Sequence, residues 1–223
     1  MSFEEWQLIG FTARMAALST VLVLPFGLAL AWCLARLRWR GKALLETLVT
    51  LPLVLPPVVT GLALLQIFGR RGFIGKYLHD VLGLDVIFTW RAVVIALAVM
   101  SVPLLVRAAR TAFEEVDVTL EQIARTLGAG EWRVFFTVTL PLARRGVLGG
   151  TLLAFARALG EFGATIMVAG NIPGQTTTLS LAVYQDVQLG RDAHAWLLAA
   201  VSACMALIAV WFASAYLERK EKG

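Results

Sequence analysis

ARTLGAGEWRVFFTVTLPLARRG, residues 124–146, is too polar to cross a bilayer and too apolar for a loose linker. The chain on either side of it is mostly apolar. Of the 223 residues, 59% are hydrophobic and only 16% are charged, well below the ~25% of a soluble domain. The mean hydropathy is +0.77. A soluble core does not need so much apolar sequence, so the composition indicates an all-α integral membrane protein.

Apolar runs of span length fall near 12–35, 46–68, 86–106, 146–170 and 194–217, which predicts five transmembrane helices in a single domain over 1–223. The acidic start MSFEEWQ lacks the basic region of a cleavable signal. LPLVLPP (51–57) reads as a bent helix, because proline removes a donor and a soluble helix would not survive it. The fourth run is the least clean, since it contains Arg157 and Glu161.

The basic residues give an orientation. Arg36, Arg38, Arg40, Lys42, Arg107, Arg110, Arg125, Arg133, Arg144, Arg145, Arg219, Lys220 and Lys222 fall on one side, and Arg70, Arg71, Lys76, Arg91 and Arg191 on the other. The positive-inside rule then predicts an outer N-terminus and a cytoplasmic C-terminus. It also accounts for the pI near 9.7 without nucleic acid. The loop 117–141 is then cytoplasmic. Leu120, Ile123, Ala124 and Leu127 share one helical face there, and Gly128 and Gly130 turn the chain. A second short amphipathic piece, EWRVFFTVTL, follows, and Pro141 marks the start of the next span. Such a helix, turn and helix could lie on lipid or dock to a cytoplasmic partner. A fixed bend suits a partner groove better than a lipid surface.

Other chemistry is absent from the sequence. There is no GxxxxGK[ST] phosphate loop, so ATP hydrolysis by that route would need a partner. There is no HExxH or Cys/His cluster, and no metal, cofactor or catalytic residue is expected. Cys33 and Cys204 are single small residues in apolar runs, and His79 and His194 read as solvated or interfacial. Arg157 and Glu161 are one helical turn apart, the spacing of a mutual ion pair facing the bundle interior. The alternative is that Arg157, Gly160, Glu161, Phe162, Gly163 and Thr165 line a pathway or gate. NIPGQTTTLS (171–180) reads as an outer turn-rich segment, either a plain loop or a landing surface for a binding protein. FGRRGFIGKYLHD (68–80) could meet the same partner or anchor span ends on lipid. A gradient-driven carrier or channel would need ionisable residues along several spans, and a scaffolding subunit would not need the bends.

LEQIARTLGAGEWRVFFTVTLPLARRGVLGG (120–150) resembles the cytoplasmic loop of ABC importer permeases, whose pattern is Glu-Ala-Ala, a gap, Gly, a longer gap and Ile-x-Leu-Pro. Ala124, Gly128, Val138, Leu140 and Pro141 match it. Gln122 and Ile123 depart from it, and Glu121 stands one residue early. GKALLETLVTLPLVLPPVVTGLALLQIFGRRGFIG (41–75), LAFARALGEFGATI (153–166) and NIPGQTTT (171–178) resemble the molybdate-import branch of that family. Sulfate and tungstate permeases are near alternatives. The resemblance implies the transmembrane domain of a type I importer, in the bacterial inner membrane. It implies a homodimer with two copies of a separate ATPase and a periplasmic or lipid-anchored molybdate-binding protein. It also implies that Glu121, Ala124, Arg125, Gly128, Ala129, Trp132 and Arg133 couple the loop to the ATPase.

Overall fold

The computed structural model describes residues 2–37 and 39–218. Arg38, Arg219, Lys220 and Lys222, counted above for orientation, lie outside the described residues. The described residues are helical and connected by short turns: α1 (Phe3–Arg36), α2 (Lys42–Val54), α3 (Pro57–Phe68), α4 (Phe73–Leu82), α5 (Trp90–Glu114), α6 (Val118–Thr126), α7 (Glu131–Val134), a π-helical turn (Phe135–Thr139), α8 (Leu140–Leu159), α9 (Gly163–Ala169), α10 (Leu179–Gln188) and α11 (Asp192–Glu218).

Among them α1, α5 and α11 are long and apolar enough to cross a membrane alone. The pairs α2/α3 and α8/α9 qualify only as bent pairs, turned by 113° and 62°, so there are five crossings if each pair is one span. Packing gives each its direction. One core cluster holds Ala31 and Leu34 of α1, Val106 and Phe113 of α5, and Ala143 and Val147 of α8, with Leu45 and Val49 of α2 against it. Another holds Ala16 of α1, Leu64 of α3, Val93 of α5, Ala158 of α8 and Ala164 of α9, with Met205 of α11 against it. The first cluster lies at the end carrying α6, and the second lies towards the opposite end. Thus α1 and α5 run towards the α6 end, whereas α2/α3 and α8/α9 run away from it.

Several boundaries differ from the sequence expectation. α5 continues past 106 to Glu114, so Arg107 and Arg110 are helical rather than loop residues. Arg110 is held there by Glu46 of α2 and Glu114. EWRVFFTVTL is not a separate surface helix. From Glu131 the helix runs through the π turn into α8 as far as Leu159. Pro141 therefore lies within a continuous helix, which the wider turn before it accommodates: the Leu140 N–H donates to Phe135 O. α4 and α10 are further helices between the predicted spans. His194 is not simply solvated, since its ring bridges Asp186 of α10 and Glu5 of α1.

Candidate functional site

Asp117 caps α6 by accepting the Thr119 N–H at 2.8 Å. That contact holds its carboxyl below the usual range. After one short helix the chain turns at Gly128, whose φ of +85° is a left-handed value that other residues resist. The Gly128 N–H donates to Arg125 O, and Ala129 N–H to Ala124 O. Arg125 then bridges the turn with a two-pronged contact to Glu131, at 2.7 and 3.0 Å. This pair lowers the Glu131 pKa and raises that of Arg125, so its tie persists at neutral pH and is lost only as Glu131 protonates in acid.

The resulting knuckle has two faces. Outward stand Ile123, Leu127 (82% exposed), Trp132 (79%) and Phe136, with Trp132 stacked on Phe136. Arg133 is exposed beside them, and Ala124 and Ala129 are partly covered. Inward stands Glu121, only 1% exposed. Its Oε1 accepts from Arg36 Nε at 3.1 Å, Arg36 Nη2 at 2.8 Å and the Thr139 hydroxyl at 2.8 Å. Arg125 Nη2 lies 3.6 Å from its other oxygen. Arg36 Nη2 also donates to Val116 O. One carboxylate thus joins α6 to the end of α1 and, through Thr139, to the root of α8. Phe135 adds an apolar joint there, packing edge-on against Trp32 and Phe113.

Of the residues selected from the sequence, Ala124, Arg125, Gly128, Ala129, Trp132 and Arg133 form the knuckle and its exposed side, while Glu121 faces the protein. Arg36 and Thr139 were not among them. Arg36 reads as one more basic residue flanking a span, and Thr139 as one position of a Val-Thr-Leu-Pro run. Only the fold brings them to Glu121.

A second arrangement sits within the bundle. Pro56 pushes Leu55 into extended backbone, which ends α2, and Pro57 opens α3. The other broken span stops at Gly160 and restarts at Gly163. The two breaks meet. A Cβ on Gly163 would lie 2.8 Å from Pro57 Cβ, and one on Gly61 would lie 2.7 Å from Met167 Cβ and 2.9 Å from the Ala164 carbonyl. α3 and α9 therefore start side by side and pack almost backbone to backbone.

Arg157 and Glu161 form the expected ion pair at 2.7 Å. Glu161 does more than balance the charge, because its Oε1 accepts the Ala164 N–H at 2.8 Å and caps α9. Its side chain is 1% exposed and that of Arg157 25%. Phe162 packs against Tyr184 of α10 at 4.9 Å. Thr165 is fully buried, and its hydroxyl has no partner among the described residues. Pro56, Pro57 and Gly61 complete this junction. The sequence marks the prolines as a bend but does not say what the bend packs against.

The family model for the inner membrane component of binding-protein-dependent transport systems matches residues 23–222. The chain belongs to that family. As a member of it, this permease is 52% identical over 220 residues, 96% of each chain, to the molybdenum transport system permease protein ModB of Escherichia coli K12. It is 50% identical to ModB of Haemophilus influenzae, over 82% of this chain and 80% of that one. The sulfate transport system permease protein CysW of Synechocystis is more distant, at 39% identity over 88% of this chain and 71% of its own. In fold the permease is similar to a bacterial ABC transporter that imports alginate, with TM-score 0.68, 17% identity and coverage of 98% and 80%. It is also similar to an amino acid ABC transporter, with TM-score 0.64, 19% identity and coverage of 96% and 92%.

Two substitutions probe the permease's two arrangements. Gly128→Pro forces φ near −65° where +85° is required and removes the N–H that bonds Arg125 O. Membrane insertion is expected to be retained and binding of the ATPase subunit lost, as measured by co-purification. Normal ATP-driven uptake would contradict a docking role for the knuckle. Arg157→Ala leaves Glu161 buried without its counter-charge, a cost of about 3–5 kcal/mol. Lower yield of folded protein and lower uptake are both expected, and an unchanged value of both would remove any role for the pair.

Proposed function

We propose that this permease is one half of the passage of an ATP-driven molybdate importer, acting as a homodimer by alternating access. Two copies of a separate ATPase bind the knuckles, and a periplasmic or lipid-anchored molybdate-binding protein delivers the anion at the opposite end. The N-terminus is then outside and the C-terminus cytoplasmic, in keeping with the bias of basic residues. The chain is a transport component rather than an enzyme, and ATP is hydrolysed by the partner. The observation that carries the cargo is the near full-length likeness to molybdenum permeases, which exceeds that to the sulfate permease.

The geometry supports a mechanism for coupling. Closure of the ATPases would press on Ile123, Leu127, Trp132 and Phe136. The Glu121 carboxylate would pass that displacement to α1 and α8 together, and α8 leads to the break beside α3. Glu161 is an unsuitable ligand for a dianion, being negative, buried and already engaged with Arg157 and the α9 cap. The junction of α3 and α9 therefore acts as a gate in this reading, and not as a tight anion site.

The test uses the permease with its ATPase and binding protein in vesicles. ATP-dependent uptake of labelled molybdate is expected, blocked by tungstate and little affected by excess sulfate. Uptake abolished by sulfate would reassign the cargo. Uptake that follows an ion gradient without ATP would overturn the importer reading in favour of a carrier.

A further inference from the structure

We propose that α4 lies in the lipid headgroup layer at the membrane face opposite the knuckle, and that Arg71 and Lys76 hold it there on the phosphates of anionic lipids. The position of α4 follows from its root. A Cβ on Gly72 would overlap Gln66 O, and one on Gly75 would overlap Gly69 O and Phe68 O. The first turn of α4 is thus pressed onto the last carbonyls of α3, where that span ends. The return to α5 is pinned at the same level. Arg70 and His79 both bond Asp85, and the next span opens with Trp90, its ring covered by the Arg91 guanidinium at 5.4 Å. Tryptophan beside arginine at a span end is characteristic of the membrane–water interface.

The two faces of α4 differ. Gly75 is buried and Leu78 packs against the core. Phe73 (94% exposed), Tyr77 (64%) and Val81 (59%) form an outward stripe at helical spacing. Beside the stripe a shallow cleft is lined by Arg71, Lys76, Tyr77 and Asp80. Arg70 is committed to Asp85, whereas Arg71 and Lys76 have no ion-pair partner among the described residues. An apolar stripe flanked by unpaired cations, at the level of a span end, is the pattern of an interfacial helix. The stripe meets the acyl boundary and the cations meet the phosphates. The consequence reaches the passage, because α4 leans directly on α3, the partner of α9. Lipid charge would then bear on the gate itself.

The assembled transporter is placed in vesicles with both native cysteines replaced by serine (Cys33→Ser, Cys204→Ser) and a bimane attached at Tyr77→Cys. Quenching by lipids brominated near the headgroup is expected, with little quenching by aqueous iodide. Brominated phosphatidylglycerol should quench more than brominated phosphatidylcholine, and Arg71→Gln or Lys76→Gln should each reduce that preference about fivefold. Phe73→Cys supplies a second position if Tyr77→Cys fails to insert. Strong iodide quenching without lipid quenching would overturn the proposal, whether or not added binding protein then shields the probe. Equal quenching by the two brominated lipids would overturn the role given to Arg71 and Lys76.

Discussion

Glu121→Ala is expected to abolish ATP-driven uptake, although residue 121 is buried and cannot touch a partner. The substitution leaves Arg36 without its carboxylate in a half-closed site and frees the Thr139 hydroxyl, which has the same buried acceptor. Removing one member of such a buried pair costs about 3–5 kcal/mol, so the end of α1, α6 and the root of α8 should separate. Loss of stability alone would produce the same loss of uptake, and a double substitution distinguishes the two. In Arg36→Met/Glu121→Met both charges are gone and comparable volume is retained, which commonly restores stability. If the carboxylate is the mechanical link, the double variant should melt near the parent and still bind the ATPase. ATP hydrolysis by the bound ATPase should no longer drive uptake. Parent-like uptake in that variant would show that apolar packing around Phe135 suffices, and the linking role of Glu121 would be lost.

The features read correctly from the sequence were those that local chemistry decides. Apolar length marks α1, α5 and α11 as helices long enough to cross a membrane. The positive φ at Gly128 follows from a glycine placed just after an amphipathic helix. The pairing of Arg157 with Glu161 follows from their spacing on one helix. What escaped the sequence depends on elements far apart in the chain. Arg36 and Glu121 are 85 residues apart, and nothing local in either says that they meet. At the break at Gly160–Phe162, Gly160 and Gly163 permit a bend beside the two charges, but nothing local says that the Glu161 carboxylate caps the next helix. EWRVFFTVTL was divided from the following span because Pro141 is a strong punctuator. In the fold, a π turn absorbs the missing donor and the helix continues. α4 and α10 are ten-residue helices, too short to stand out as spans, and their buried positions are few: Gly75 in α4 and Leu179, Leu181 and Asp186 in α10.

Gly61→Leu is expected to have an effect as large as that of Glu121→Ala, by a different route. In α3 the Gly61 position faces α9 so closely that even one methyl group would sit 2.7 Å from Met167 Cβ and 2.9 Å from the Ala164 backbone. Backbone atoms cannot swing aside as a flexible side chain can, so α3 must move away from α9. Overpacking of this kind costs about 1–3 kcal/mol, and separation of the pair also withdraws Pro57 from Gly163. The two broken spans would then lose the junction at which their breaks meet, and uptake should fall at least tenfold while the ATPase still co-purifies. Gly61→Ala should show a smaller loss in the same direction. Gly10→Ala is the control, since its Cβ meets nothing within 4 Å and alanine favours the helix. It should leave uptake unchanged and thermal stability equal or slightly higher. Normal uptake in Gly61→Leu, with the thermal midpoint unaltered, would mean that α3 and α9 need not stay in contact for transport, and the gate would have to be sought elsewhere along the bundle.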